Sequence, residues 1–183
     1  MDFHNRRNIR QVNHDYSKPC SYFITVNVKF GQCLFGKAVS STEIELNELG
    51  QTAQKFWIEI PDHFNHVRMD EFVIMPNHMH GIIHIGDVSG NMCGHDMSCP
   101  YMPTPSKPNQ FGPLPKGSLA VVIGQYKSSV TRWANQNRFG GLFSWHSRFY
   151  DRILSDSSSL MAAQIYIRQN PEKWWAKYQD QNW

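Results

Sequence analysis

The 183-residue sequence has no apolar run of about 18 residues, no paired Cys-x-x-Cys and no marked excess of one charge sign. Without such a run no membrane-spanning helix is expected. The start, Met-Asp-Phe-His-Asn-Arg-Arg, lacks the apolar stretch of a signal peptide, so a soluble, cytoplasmic protein with no membrane partner is expected. Cys20, Cys33, Cys93 and Cys99 have neither paired spacing nor a secreted context, which makes reduced thiols the expectation. With 18 Lys+Arg against 15 Asp+Glu the formal charge is only +3, so a nucleic-acid partner would have to be met by local basic patches. No internal repeat is visible, and the length suits one domain with a sizeable core.

What is present is a sharp local pattern. Residues 75–80 read Met-Pro-Asn-His-Met-His and run into Gly-Ile-Ile-His-Ile. In a strand, His78 and His80 project from one face while Met79 points into a core on the other. Two imidazoles side by side on a rigid element are half of a metal site. A lone strand histidine is usually structural, so the pair needs partners. His84 shares the face but lies about 13 Å along the strand from His80 and reads as structural or peripheral. A histidine-dependent nucleotide hydrolase would want regular alternation, and position 82 is Ile.

Residues 20–30 suit a central strand. Ser41 or Thr42, with Glu45 completing a capping box, opens a helix with Leu46, Leu49, Ala53, Phe56, Trp57 and Ile60 at 3 and 4 spacings, ended by Pro61. Strands are expected over about 66–75 and 78–85, joined by the Pro76-Asn77 turn. Residues 86–117 lose all periodicity and form a long loop. A helix then runs from Ser118 toward Gly140, with Leu119, Val122, Ile123, Tyr126, Val130 and Trp133 on one stripe. A strand at about 147–154 and a helix capped by Ser157–Ser159, limited by Pro171, complete the chain. Strand, helix, strand, strand, helix, strand is the order of an α+β, ferredoxin-like split βαβ antiparallel sheet, here with an appended C-terminal helix. The divisions expected are a basic arm (1–19), one domain (20–175, with the 86–117 insertion) and a tail (176–183).

His78-Met79-His80 resembles the His-hydrophobic-His motif of the HUH single-strand endonucleases, and Tyr166-Ile-Arg-Gln-Asn-Pro171 resembles the nucleophile helix of their single-tyrosine transposases. The likeness is greatest to the REP-associated branch of the IS200-like enzymes. It rests further on Asp15-Tyr16-Ser17, Tyr22-Phe23-Ile24-Thr25, Gly117-Ser118-Leu119, Tyr126-Lys127-Ser128-Ser129-Val130-Thr131, and Trp145 ahead of Arg148-Phe149-Tyr150. It spans about residues 10–175.

The resemblance implies a metal-dependent endonuclease and strand transferase acting on single-stranded or hairpin DNA through a 5′-phosphotyrosine. Of the seven tyrosines it selects Tyr166 as nucleophile, with Tyr150 the main competitor. Mg²⁺ or Mn²⁺ would be held by His78, His80 and the residue four after the tyrosine, Asn170, with Gln169 as understudy because Pro171 disfavours helical geometry at Asn170. Arg6, Arg7 and Arg10 form one candidate phosphate-binding patch, and Lys116, Lys127 and Arg132 a second. Trp174 and Trp175 would either stack on bases or pack the tail. Cys93, His95 and Cys99 lack the paired spacing of a zinc site. The resemblance leaves the oligomeric state open, a homodimer included, because insertion-sequence relatives are dimers that can exchange the tyrosine helix while the REP-associated type can act as monomers. The alternatives are a domesticated hairpin-binding module without cleavage and the nucleotide hydrolase.

Overall fold

The computed structural model describes residues 14–16, 18–86 and 117–179. Arg6, Arg7, Arg10, Lys116, the Cys93–Cys99 cluster and nearly all of the expected loop lie outside them. Strands β1 (Cys20–Asn27), β4 (Val67–Met75), β5 (His78–Ile85) and β6 (Tyr150–Leu154) form one antiparallel sheet in the order β4-β5-β1-β6. That is the split βαβ arrangement expected from the order of elements.

Helices α1 (Glu48–Ile58) and α3 (Leu119–Gln136) cover one face. There Leu49, Ala53 and Trp57 of α1 and Val122, Ile123 and Tyr126 of α3 meet Tyr22, Ile24, Met79 and Ile83 of the sheet. The period-2 alternation of β1 shows directly in its burial, with every second residue from Cys20 inside this core. Gly81 lies under Trp57, and a Cβ there would fall 2.4 Å from the indole. Only glycine lets α1 approach so closely.

Helix α4 (Ser157–Arg168) covers the opposite face, where Ile167 packs with Ile82, Leu154, Phe23 and Val73. A fully buried aliphatic side chain contributes about 1.5–3 kcal/mol, so Ile167, 1% exposed, anchors the helix. Two acidic residues hold it in place laterally. Met69 pairs with Ile83 but Phe72 with Gly81, so β4 carries one extra residue at Asp70-Glu71. Consecutive strand residues ordinarily face opposite sides; the bulge lets both reach α4. Asp70 accepts from Gln164 Nε2 at 3.0 Å, and Glu71 accepts from Arg168 Nε at 3.0 Å.

Several local expectations need correction. Residues 36–38 and 44–46 form a small hairpin (β2, Gly36–Ala38; β3, Ile44–Leu46) instead of a helix start. Glu45 pairs with Lys37 across it at 3.1 Å. The helix begins at Glu48 because Asn47 Oδ1 accepts from Gly50 N at 3.0 Å. Pro61 does not end α1; it sits in the first turn of the short α2 (Ile60–His63), where its missing N–H costs nothing. Asp156, not a serine, caps α4 in a reciprocal box with Ser159. Past Pro171 the chain stays helical as α5 (Asn170–Tyr178), running beyond the expected start of a tail. Cys20 is disulfide-bonded, against the expectation of reduced thiols, whereas Cys33 is free. Among the described residues no helix is long and apolar enough to cross a membrane.

Candidate active site

β5 occupies residues 78–85 as expected, and Met79 is buried in the α1/α3 core while His78 and His80 face the α4 side. Their ring centroids are 4.7 Å apart. Each ring is oriented by a neighbour. His78 Nδ1 donates to Asn77 Oδ1 at 2.6 Å, and His80 Nδ1 lies 2.8 Å from Thr25 Oγ1, its partner across β1. Such contacts fix the ring orientation. Burial pushes His78 down to about 4, against the pull of a hydrogen bond with Asn170. Burial, reinforced by His78 alongside, pushes His80 down to about 3. Both imidazoles are therefore neutral at pH 7, the form that can ligate a cation.

Tyr166 sits in the last turn of α4 and is 40% exposed. Its ring meets His80 edge-on at 5.2 Å and Phe23 at 5.7 Å, and Phe23 stacks on His80 at 5.2 Å. Lys173 Nζ lies 4.8 Å from the Tyr166 ring centroid. The contact forms within one chain.

Tyr150 pairs with Thr25, which pairs with His80, so it shares their face at two strand spacings, about 10 Å away. Tyr22 and Tyr126 are buried at 0% and 2% exposure, and burial raises both phenols far above their ordinary range. Of the described tyrosines, Tyr166 alone has its ring in contact with the histidine pair.

Asn170 opens α5 and is 6% exposed, and its side chain hydrogen-bonds His78. The expected conflict with Pro171 does not arise. Gln169 links α4 to α5 at φ −84, ψ −4, and a proline in the first turn of the new helix needs no N–H partner. Gln169 itself is exposed. Among the described residues no group of three or more His, Cys, Asp or Glu could hold a metal, so a site here depends on the Asn170 amide. Trp174 packs against His78 at 5.5 Å and is 7% exposed, which makes it part of the wall. His84 is structural: its Nε2 lies 3.2 Å from Asp70 Oδ2 and its Nδ1 2.7 Å from Ser21 Oγ. Lys127 and Arg132 lie on α3; Lys127 Nζ donates to His146 O at 2.8 Å and Arg132 is exposed.

Sequence reading missed Thr25, Asn77 and the Asp70-Glu71 clamp. Thr25 becomes visible only through strand register, whereas Asn77 was signalled by its place beside His78.

No protein-family profile matches the chain. It is 34% identical over 172 residues to an uncharacterized Haemophilus influenzae protein, covering 93% of this chain and 91% of the relative. Among solved structures it is similar to a REP-associated tyrosine transposase bound to a REP hairpin, with TM-score 0.57, 16% identity, and coverage of 90% of this chain and 73% of the other. The chain therefore belongs to one family with that Haemophilus influenzae protein, and its fold is that of the REP-associated tyrosine transposases.

Proposed function

We propose that the protein is a metal-dependent single-stranded DNA endonuclease and strand transferase that acts on hairpin-bearing DNA. The observation that carries this reading is the contact of the half-exposed Tyr166 ring with His80, itself 4.7 Å from His78. Tyr166 is the nucleophile, and His78, His80 and Asn170 hold Mg²⁺ or Mn²⁺. Two neutral imidazoles and an amide fit a divalent cation in donor chemistry. When bound, the ion would supply positive charge to the non-bridging phosphate oxygens.

Tyr166 Oη attacks phosphorus, the bond to the 3′ oxygen breaks, and the phenol proton ends on the departing 3′-OH. The product is a 5′-phosphotyrosine, and attack by another 3′-OH reverses the step and joins strands without ATP. Phe23, Trp174 and the α4 clamp hold the phenol and imidazoles together, which is most of what transesterification asks of a protein. The hairpin bound by the structurally similar transposase motivates the choice of substrate. Lys127 and Arg132, with Arg6, Arg7, Arg10 and Lys116, contact phosphates.

The test is incubation with hairpin-bearing single-stranded DNA and Mn²⁺, followed by denaturing electrophoresis. A slow-migrating covalent adduct that EDTA abolishes supports the reading. Intact binding with no adduct across a panel of hairpins would leave only a binding module.

A further inference from the structure

Phe30 combines exposure with backbone strain. Its ring is 84% exposed, and its φ of 60° lies in the left-handed region that disfavours any residue with a Cβ. Yet the turn carrying it is firmly held. Val28 N donates to Asn77 O at 2.9 Å, Lys29 N to Ser144 O at 2.8 Å, and Asn77 Nδ2 to Gly31 O at 3.0 Å. Asn77 thus uses one end of its amide to hold the Phe30 turn and the other to orient His78.

Beside this turn opens a cleft of about 690 Å³ lined by Asn27, Lys29, Phe30, Asn77 and Trp145. Residues 144–147 also line a second cleft of about 700 Å³, which reaches Lys127 and Arg132 on α3. Among the described residues three cations line the pair and no carboxylate does. Lys29 Nζ lies over one face of the Phe30 ring, 4.9 Å from its centroid, so a cation accompanies the exposed ring. A cationic groove with one presented aromatic face fits single-stranded nucleic acid, whose unpaired bases stack on rings while the phosphates follow the charges.

We infer that this groove carries the unpaired strand flanking the scissile phosphate and that Phe30 stacks on one of its bases. The inference rests on the proposed function and names a substrate subsite for it.

The test uses the full chain with Tyr166→Phe, in EDTA, so that neither cleavage nor metal enters. The probe is a short single strand bearing 2-aminopurine, read by anisotropy and fluorescence. Phe30→Ala is expected to weaken binding about tenfold and to remove the quenching of 2-aminopurine, while Phe30→Trp keeps both. Phe30→Gly is expected to weaken binding equally yet raise the denaturation midpoint, because it relieves the strained φ. Leu142→Ala, an exposed apolar residue outside the groove, should bind as the parent does. If the parent binds and Phe30→Ala binds and quenches like it, the stacking role is overturned and the proposed function stands. If the parent binds no single strand at all, both fall.

Discussion

The ring of Tyr166 meets that of His80 edge-on, with centroids 5.2 Å apart and planes at 73°. A phenol on covering helix α4 and an imidazole on an inner strand, 86 positions earlier in the sequence, thus share one small volume. Tyr166→Phe keeps the ring and its contacts and removes only the nucleophile. The variant should keep wild-type stability within about 0.5 kcal/mol, as usual for a change at an exposed position, and hairpin DNA affinity, and should lose all covalent adduct. Urea denaturation, gel shift and denaturing electrophoresis check the three.

Metal retention should depend on the imidazole pair and the amide. His78→Ala with His80→Ala is expected to abolish Mn²⁺ binding in equilibrium dialysis. Asn170→Ala should weaken it by about tenfold or more, since it also removes a hydrogen bond that orients His78.

The clamp on α4 is expected to act on rate. Gln164 Nε2 donates to both oxygens of Asp70, at 3.2 and 3.0 Å, two residues before the tyrosine. Gln164→Ala should lower the single-turnover rate of adduct formation about tenfold while leaving DNA affinity unchanged, because small misplacements of a nucleophile are costly.

Two glycine substitutions should have opposite signs. Gly81→Ala drives a methyl group to 2.4 Å from Trp57 Cζ2 and should destabilise by about 1–3 kcal/mol. Gly124→Ala, at an exposed position of α3 with nothing within 4 Å, should stabilise by about 0.5–1 kcal/mol. Urea midpoints of both measure the difference.

The cap of α4 carries a pH signature. Asp156 accepts from Ser158 Oγ at 2.6 Å, Ser159 N at 2.7 Å and Ser155 Oγ at 3.1 Å, which hold its carboxyl down at about 2. With the folded value below the unfolded one of 3.8, the unfolded state binds more protons in between, so the cap's stabilisation is present above pH 3.8 and fades toward pH 2. Asp156→Ala should be less stable than wild type at pH 7. The two denaturation midpoints should converge as pH falls from about 4 to 2.

Much of this fold could be read along the chain, and the division is physical. The bounds of β5 match because β-branched residues and the Pro76-Asn77 turn are local signals, and α3 shows because its apolar stripe is long. The β2-β3 hairpin was hidden because three-residue strands carry no periodicity, and the Thr42–Glu45 spacing imitated a cap. Pro171 read as a stop, yet a proline in a first turn permits α5, and that helix brings Asn170 and Trp174 to His78. Within the candidate site, His78, His80 and Tyr166 stood out by motif. Thr25, Asp70 and Gln164 did not, because strand register, a bulge and helix docking bring them in.

The most direct measurement is to digest wild-type protein trapped with hairpin-bearing single-stranded DNA and Mn²⁺, and to identify by mass spectrometry which peptide carries nucleotide. A 5′-phosphate ester on Tyr166 is the expected result. An ester on Tyr150, or an active preparation with no esterified tyrosine, would contradict the assignment of this phenol as the nucleophile.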